Sequence, residues 1–549
     1  MKFRITLWLA LTALSLDAQE QGIKYFHQFE VDGALAYKGI IPTSLEATSV
    51  TGIYAFQSDG KGQLESVTFL RRGRVARDEK LGAARVEIIH EENREIRLWK
   101  DNQGRPVKNP EGFAQMQIQK NREGFPLMAY HYDTKGNLTR DRFGVAAYGF
   151  IPGEKGLRRR SLRFDTRGNR TADKDGVWES SFTYDERGRV STTHYFDQKN
   201  NPLGVRGGVM GVLWLWDSND QVKEIQFVDD KMQPLENLGG IQKTVFARDS
   251  QGRVLEKAYY NRGGVLWEDS RGLALYRWEY DDTRSWVREY HFDALSQLTL
   301  DDEGVAIRKE IWLPQSLDHQ VMNFGLAINP LYETLTPQQK LLEDRYLLKE
   351  DIRGVAVYRR TYDEKDHPVE DKTFDGDFAL VEDAQGVSLY RRSYTSEGLL
   401  EEVAYFGNFS QAVENLEGLA KKRWDYDMAG QAVREYNFGL DGSLKEDKNG
   451  VATYDWKYNE KGLKIQQTNL GVFAQVKEDK NGVALYRWTY DKFGEVLEQT
   501  HFGMDGRPTE DITGAFLLKW ETDEYGRRTP LRFDTQGNPL TGTSNPSGL

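Results

Sequence analysis

The sequence predicts an all-β protein in which one two-stranded unit is written about sixteen times, giving a coiled or closed antiparallel repeat array. Three observations predict it. Glycines recur at a fixed step of 32 residues, from Gly112 through Gly144, Gly176, Gly208, Gly240 and Gly272 to Gly304, and again from Gly354 through Gly386, Gly418, Gly450 and Gly482 to Gly514. After each glycine, apolar and polar residues alternate with the period of a half-buried strand. The strand then ends in a Tyr-Asp-x-x-Gly turn, as at Tyr426-Asp427-Met-Ala-Gly430.

The N-terminus comes first. Lys2 and Arg4 precede an apolar run from Ile5 to Leu16, and Ala18 follows, so residues 1–18 are expected to be a secretory signal peptide. The apolar run is too short to span a bilayer, and no later stretch approaches the length of a spanning helix. The mature chain is therefore expected to be exported by a bacterium, to the periplasm, the cell surface or the medium. With no cysteine, it has no disulfide, no thiolate metal site and no cysteine nucleophile. The net charge of −11 is spread along the chain, which argues against nucleic acid as a partner.

Residues 19–312 form the first part of the array. Its earliest steps, Gly22 to Gly52, Gly82 and Gly112, are 30 residues each. A second strand is expected to follow each Asp-x-x-Gly turn and to end at an aromatic, as at Phe292, Phe374, Phe406, Phe438 and Phe502. In such turns the Asp side chain accepts a backbone N–H, and glycine takes the positive φ. Six residues after the repeat glycine stand Ile88, Ile118, Phe150, Phe182, Trp214, Phe246 and Trp278, and later Trp424, Trp456, Trp488 and Trp520. This column is expected to be a core ladder in which each member touches its neighbours in the adjacent units. The other reading is an exposed strip that stacks on sugars.

Residues 313–353 interrupt the series, because Gly304 and Gly354 are 50 residues apart. Leu313 to Gln320 reads as a loop. Thr336, Pro337 and Gln339 read as the N-cap, first-turn proline and capping-box residue of a short helix reaching about Lys349, with Leu341, Leu342, Tyr346 and Leu348 available for packing. The array resumes over residues 354–540, and 541–549 form a tail.

The turn signatures Tyr184-Asp185-Glu-Arg-Gly188, Phe164-Asp165-Thr-Arg-Gly168 and Phe533-Asp534-Thr-Gln-Gly537 resemble the YD repeats of bacterial RHS proteins. That resemblance implies a spiralling β-sheet enclosing a cavity, often with a toxin at the C-terminus. Here the last repeat runs into a nine-residue tail, which leaves no room for a toxin within this sequence. A weaker similarity links the aromatic strands and Asp-x-x-Gly turns to choline- and glucan-binding repeats, whose unit is shorter.

No zinc-binding His-Glu-x-x-His helix, Gly-x-Ser-x-Gly elbow or phosphate-cradling glycine loop is present, so neither an enzyme nor a cofactor is expected. His131, His291 and His501 recur with the repeat and are expected on the surface, facing away from the aromatic column. Acidic turns such as Glu446 to Gly450 suggest calcium, but the later bidentate carboxylate is missing, and turn stabilisation by Asp and Asn is the better account. The column itself breaks once, where Glu310, Arg360 and Arg392 replace aromatics in three successive units around the insertion. Together with the bordering aromatics Trp312 and Tyr346 they form the candidate ligand-binding site. Either Glu310 pairs with Arg360 beneath the insertion, or the arginines hold an anionic group, or the charges are simply solvated. The function expected is a non-enzymatic scaffold that binds a protein or an envelope glycan. The alternatives are an RHS-like shell accompanying a separate effector and a cell-wall glycan-binding module.

Overall fold

The computed structural model describes residues 22–47, 49–205, 207–313, 317–336, 344–522 and 528–540. The predicted leader and tail lie outside these residues. The chain divides into two compact units, Met1–Trp312 and Leu313–Leu549. Among the described residues the first holds 20 strands and the second 14. Helical structure among them is limited to two single 3-10 turns, Glu154–Gly156 and Tyr332–Thr334.

Within each unit the strands pair antiparallel and mostly in chain order. Lys421–Tyr426 pairs with Ala432–Phe438, which pairs with Thr453–Tyr458, and so on through Leu485–Tyr490 and Val496–Phe502. One repeat is therefore a hairpin of six- and seven-residue strands, and the second strand ends at the expected aromatic. The regular hairpins carry a bulge one residue before the turn, as between Asp425 and Tyr426, which increases the local twist once per repeat.

Two kinds of turn join the strands. In the hairpin turn, the Oδ1 of Asp427 accepts the backbone N–H of Ala429 and of Gln431, both at 2.9 Å, and Gly430 takes φ +73°. In the turn that opens each repeat, Asp447 accepts from the N–H of Asn449 and Val451 with Oδ1, while Oδ2 accepts the Tyr454 hydroxyl at 2.8 Å. The same seven-residue step joins Tyr148 to Asp141, Tyr276 to Asp269, Tyr358 to Asp351, Tyr390 to Asp383 and Tyr486 to Asp479.

A second tyrosine, four residues further on, stitches neighbouring repeats together. Tyr394, Tyr426 and Tyr458 donate to the carbonyls of Pro368, Leu400 and Ala432, each the first residue of the preceding repeat's second strand. The most deeply buried layer is small. It is the Val-Ala pair after each glycine, as at Val145-Ala146, Val305-Ala306, Val451-Ala452 and Val483-Ala484, all inaccessible to solvent. The opposite face is charged and carries ion pairs between adjacent strands, among them Arg277 with Glu256, Arg391 with Glu370 and Lys421 with Glu402.

The histidines correct the sequence reading. His131, His291 and His501 are buried, not on the surface. In the hairpin ladder, an even-numbered residue of one strand faces an odd-numbered residue of the next, so His501 stands opposite Tyr486, on the face of the aromatic column. Its Nδ1 bonds the Ala515 carbonyl at 2.8 Å, and His291 Nδ1 bonds that of Val305 at 2.9 Å. Asn437 and Asn469 use a side-chain amide for the same bond in their repeats.

The insertion also differs from expectation. Of the loop expected over Leu313–Gln320, residues 314–316 lie outside the described residues and Asp318–Gln320 instead open the eleven-residue strand Asp318–Ile328, which pairs with Val357–Tyr362 over its first half. Tyr346–Leu348, placed in a helix by the sequence pattern, is a short strand whose Leu348 faces Phe324. An open ladder on the long strand outweighs the local helix signal, and Leu348 packs against the cluster of Ala356, Val357 and Phe374. The centre of the expected helix, residues 337–343, lies outside the described residues.

The first unit begins with a hairpin inserted the other way round. Ile23–Val31 pairs with both Tyr37–Thr43 and Ile53–Ser58, leaving Tyr37–Thr43 outermost. This hairpin and the segment after it run across the turns of later repeats. Arg158 Nε donates to the Gly33 carbonyl, Lys38 pairs with Asp220 at 2.7 Å, and the Val50 N–H donates to Asp282 at 2.7 Å. The first unit thus curls back on its own N-terminus.

Two outcomes test these contacts. Asp479→Ala should speed amide exchange at Asn481 and Val483 by roughly tenfold or more, reflecting the loss of about 1–3 kcal/mol locally. Burial pushes His131 and His501 below the ordinary imidazole value, more than their neighbouring carboxylates and carbonyl bonds restore. The unfolded chain then binds these protons more readily, so their stabilisation is complete above about pH 6.5 and is lost as pH falls below it. The drop in thermal midpoint between about pH 7.5 and about pH 5.5 should shrink in His501→Asn, which keeps the carbonyl bond without a titrating ring.

Candidate functional site

In regular repeats the column tryptophan is half-buried and its indole N–H is used across the hairpin. Trp278 donates to Glu289, Trp424 to Glu435, Trp456 to Gln467 and Trp488 to Gln499, at 2.9–3.0 Å and always to the residue eleven positions on. The early members Ile88, Ile118 and Phe150 are buried. The column therefore works as a ladder whose polar edge has a dedicated acceptor.

The break follows the same rule with different chemistry. Arg360 stands opposite Asp371, eleven positions on, and grips it with Nε at 2.5 Å and Nη2 at 3.0 Å. In the next repeat Arg392 faces Val403, which accepts nothing. Arg392 instead reaches back to the same carboxylate, with Nη2 2.7 Å from Asp371 Oδ2. Two guanidiniums thus share one carboxylate. Burial by itself would raise the Asp371 carboxyl, but the hydrogen bond from Arg360 and the charges of both arginines hold it below the usual carboxylate range. The hydrogen bond to Asp371 in turn raises Arg360 above the ordinary guanidinium value.

The group carries a surplus positive charge. Arg360 is exposed, whereas Arg392 is half-buried, lies over the Tyr390 ring at 5.7 Å, and has a buried Nη1 with no hydrogen-bond partner among the described residues.

Of the other expected members, Glu310 and Trp312 belong to the first unit and Tyr346 to the second. Glu310 is exposed in the first unit, opposite Val287. Trp312 ends that unit, with the Arg71 guanidinium 4.1 Å above its ring. Tyr346 lies in the second unit opposite Ile328, nine residues along the long strand from His319, which faces Arg360. The structure therefore brings together Arg360 and Arg392 and adds Asp371. The eleven-residue offset shared with the Trp–Glu pairs is the signal that identifies this partner. At the acidic turns, the Asp447 and Asp479 carboxylates are occupied by their own backbone and tyrosine, and among the described residues no group of three His, Asp or Glu is placed to hold a metal ion. No helix among them is long and apolar enough to cross a membrane.

No protein-family model and no curated protein matches the chain. Three solved structures show a likeness covering 90% of it: TcdB2-TccC3-TEV (TM-score 0.33, 10% identity), TcdB2-TccC3-Cdc42 (0.20, 12%) and a Tc holotoxin pore of Photorhabdus luminescens (0.20, 12%). The chain spans 25%, 29% and 28% of their respective lengths. The repeat architecture rests on the strands, registers and turns of this chain and not on these likenesses.

Asp371→Ala would leave two guanidiniums facing each other without a counter-charge. The expected effect is a local loss of about 1–2 kcal/mol, kept modest by the exposure of Arg360 and read as faster amide exchange in strands Val357–Tyr362 and Leu389–Tyr394.

Proposed function

We propose that this chain is an exported bacterial β-repeat scaffold without catalytic activity of its own, which binds an anionic group of an envelope glycan or a partner protein. The observation that carries this reading is the column break. In many repeats the turn carboxylates, tyrosine hydroxyls and column indole N–H groups make bonds that recur at fixed steps, as at Asp447, Tyr458 and Trp456. At Arg360 and Arg392 the pattern changes to two cations on one anion, a net positive charge, with the Arg360 side chain exposed. A departure from an otherwise consistent pattern is where function is sought first.

A second reading, an RHS-like shell accompanying a separately encoded effector, is favoured by the way the first unit curls back on its N-terminal hairpin. It shares the scaffold and differs in what the scaffold holds.

The test compares the wild-type chain with a variant in which the column is restored: Arg360→Trp, Asp371→Gln, Arg392→Trp and Val403→Gln. The Trp–Gln pairs of neighbouring repeats show that this combination suits the stack. In co-sedimentation with purified peptidoglycan and acidic envelope polysaccharide, wild type is expected to bind and the restored variant to bind at least about tenfold more weakly, a difference of roughly 1.4 kcal/mol. Equal binding by the two, or binding by neither, would remove the arginine group as the ligand site.

A further inference from the structure

The edge of the second unit that carries the turns between repeats has a feature that the stack does not require. Five successive turns, 375–379, 407–411, 439–443, 471–475 and 503–507, close in the same way, with the first residue's N–H donating to the fifth residue's carbonyl. Each bears one large apolar side chain at its tip: Phe378, Phe409, Leu440, Phe473 and Met504. Phe409 is 91% exposed and Phe473 88%, and the other three are 48% or more.

Corresponding turns of the first unit show what the geometry alone demands. Four of them have polar tips, Asp101-Asn-Gln-Gly104, Asp133-Thr-Lys-Gly136, Asp165-Thr-Arg-Gly168 and Asp197-Gln-Lys-Asn200, whereas turns 229–233 and 293–297 expose Met232 and Leu295, so an apolar tip is tolerated by the turn but not required by it. They need a side chain that accepts a turn N–H, from the first residue as in Asp197 or from a later one as in Gln411, Asp441, Gln475 and Asp505, and a fourth residue that tolerates positive φ. Phe378 occupies that fourth position at φ +62°, where a bulky side chain is disfavoured. An apolar residue at such a tip contributes nothing to the fold and is costly to leave in water.

Spacing and charge describe the occupant. Each repeat adds two strands, so neighbouring tips are about 10 Å apart and the row runs about 40 Å. The turns that open each repeat lie on the same edge and add Ile352, Leu416 and Ile512, all exposed. Acidic residues outnumber basic ones here, and three of the lysines are already paired: Lys445 with Glu414, Lys448 with Glu417 and Lys477 with Glu446. A surface both acidic and apolar repels anionic lipid and favours a cationic partner. A step of about 10 Å from tip to tip matches one side chain per seven residues of an α-helix.

We propose that this edge docks a cationic, heptad-patterned amphipathic helix of a partner protein, whose apolar residues meet the row from Phe378 to Met504. The proposal rests on the reading of the chain as a binding scaffold, but it uses a surface separate from the arginine group, so either can fail alone.

The test measures fluorescence anisotropy of the full chain with a labelled helical peptide of about 28 residues, long enough to cover about 40 Å, with leucine at heptad positions and lysine elsewhere. A peptide with glutamate in place of lysine is the control. The lysine peptide should bind and the glutamate peptide should not. Phe409→Ser combined with Phe473→Ser should weaken binding at least about tenfold while leaving the thermal midpoint unchanged, because both rings are exposed. Equal binding of both peptides, no binding of the lysine peptide, or undiminished binding by the double variant would overturn the proposal. So would transfer of the phenylalanine dependence to phosphatidylcholine vesicles, or to self-association of the chain in sedimentation. The column-restored variant should bind the lysine peptide as wild type does, whatever it does with glycan.

Discussion

The structure depends on one small arrangement, the aspartate that opens many of the repeats and, in six of them, Asp141, Asp269, Asp351, Asp383, Asp447 and Asp479, also holds a tyrosine. Its Oδ1 takes two backbone N–H groups and so fixes the turn, and its Oδ2 takes a tyrosine hydroxyl and so fixes the strand that follows. A charged acceptor makes these bonds stronger than neutral ones. Because the tyrosine lies on the aromatic face, the turn and the ladder are set by the same carboxylate. The register of each hairpin is therefore decided locally, before any neighbour arrives.

That local decision matters because the repeats contribute little deep core. Sheets usually bury one face against another layer, whereas the aromatic column of the later repeats stays half-buried and the other face is charged. The fully buried layer is the Val-Ala pair beside the turn. Cohesion between repeats therefore comes from many modest terms at fixed steps: the ladder hydrogen bonds, a tyrosine hydroxyl on the preceding repeat's carbonyl, a histidine or asparagine on the following repeat's carbonyl, and ion pairs across the outer strands. In an array of this kind, stability is close to a sum of nearest-neighbour contributions. Tolerance of one irregular repeat is a natural consequence.

Much of this was legible in the residues. The glycine step, the alternation and the Tyr-Asp-x-x-Gly turn are local signals, and strand ends such as Phe438 and Phe502 fall where those signals place them. What was not legible depends on pairing across strands. His501 reads as outward-facing when counted along the chain, yet its position opposite Tyr486 turns it inward. Asp371 lies outside the broken column in sequence and becomes its centre only through the hairpin register. Tyr346–Leu348 follows a helix signal but answers to a ladder offered by a strand some twenty residues earlier. The N-terminal hairpin and the segment after it meet turns up to 232 residues away, which no local pattern encodes.

The energetics of the broken column explain why it is more than a substitution. A column tryptophan with its acceptor buries a large aromatic surface and satisfies its one polar atom, a contribution of about 2–3 kcal/mol. A partly exposed guanidinium–carboxylate pair contributes about 0–1 kcal/mol. Replacing tryptophan by arginine in two consecutive repeats, with one acceptor between them, gives up stability that Trp424, Trp456 and Trp488 retain nearby. The local cost falls beside the long strand Asp318–Ile328, which pairs with the strand bearing Arg360. An ion pair chosen only to fill the column would have carried an acid opposite Arg392 as well. Val403 stands there instead, so Arg392 turns back to the carboxylate of the preceding repeat, and the two arginines link adjacent hairpins through Asp371.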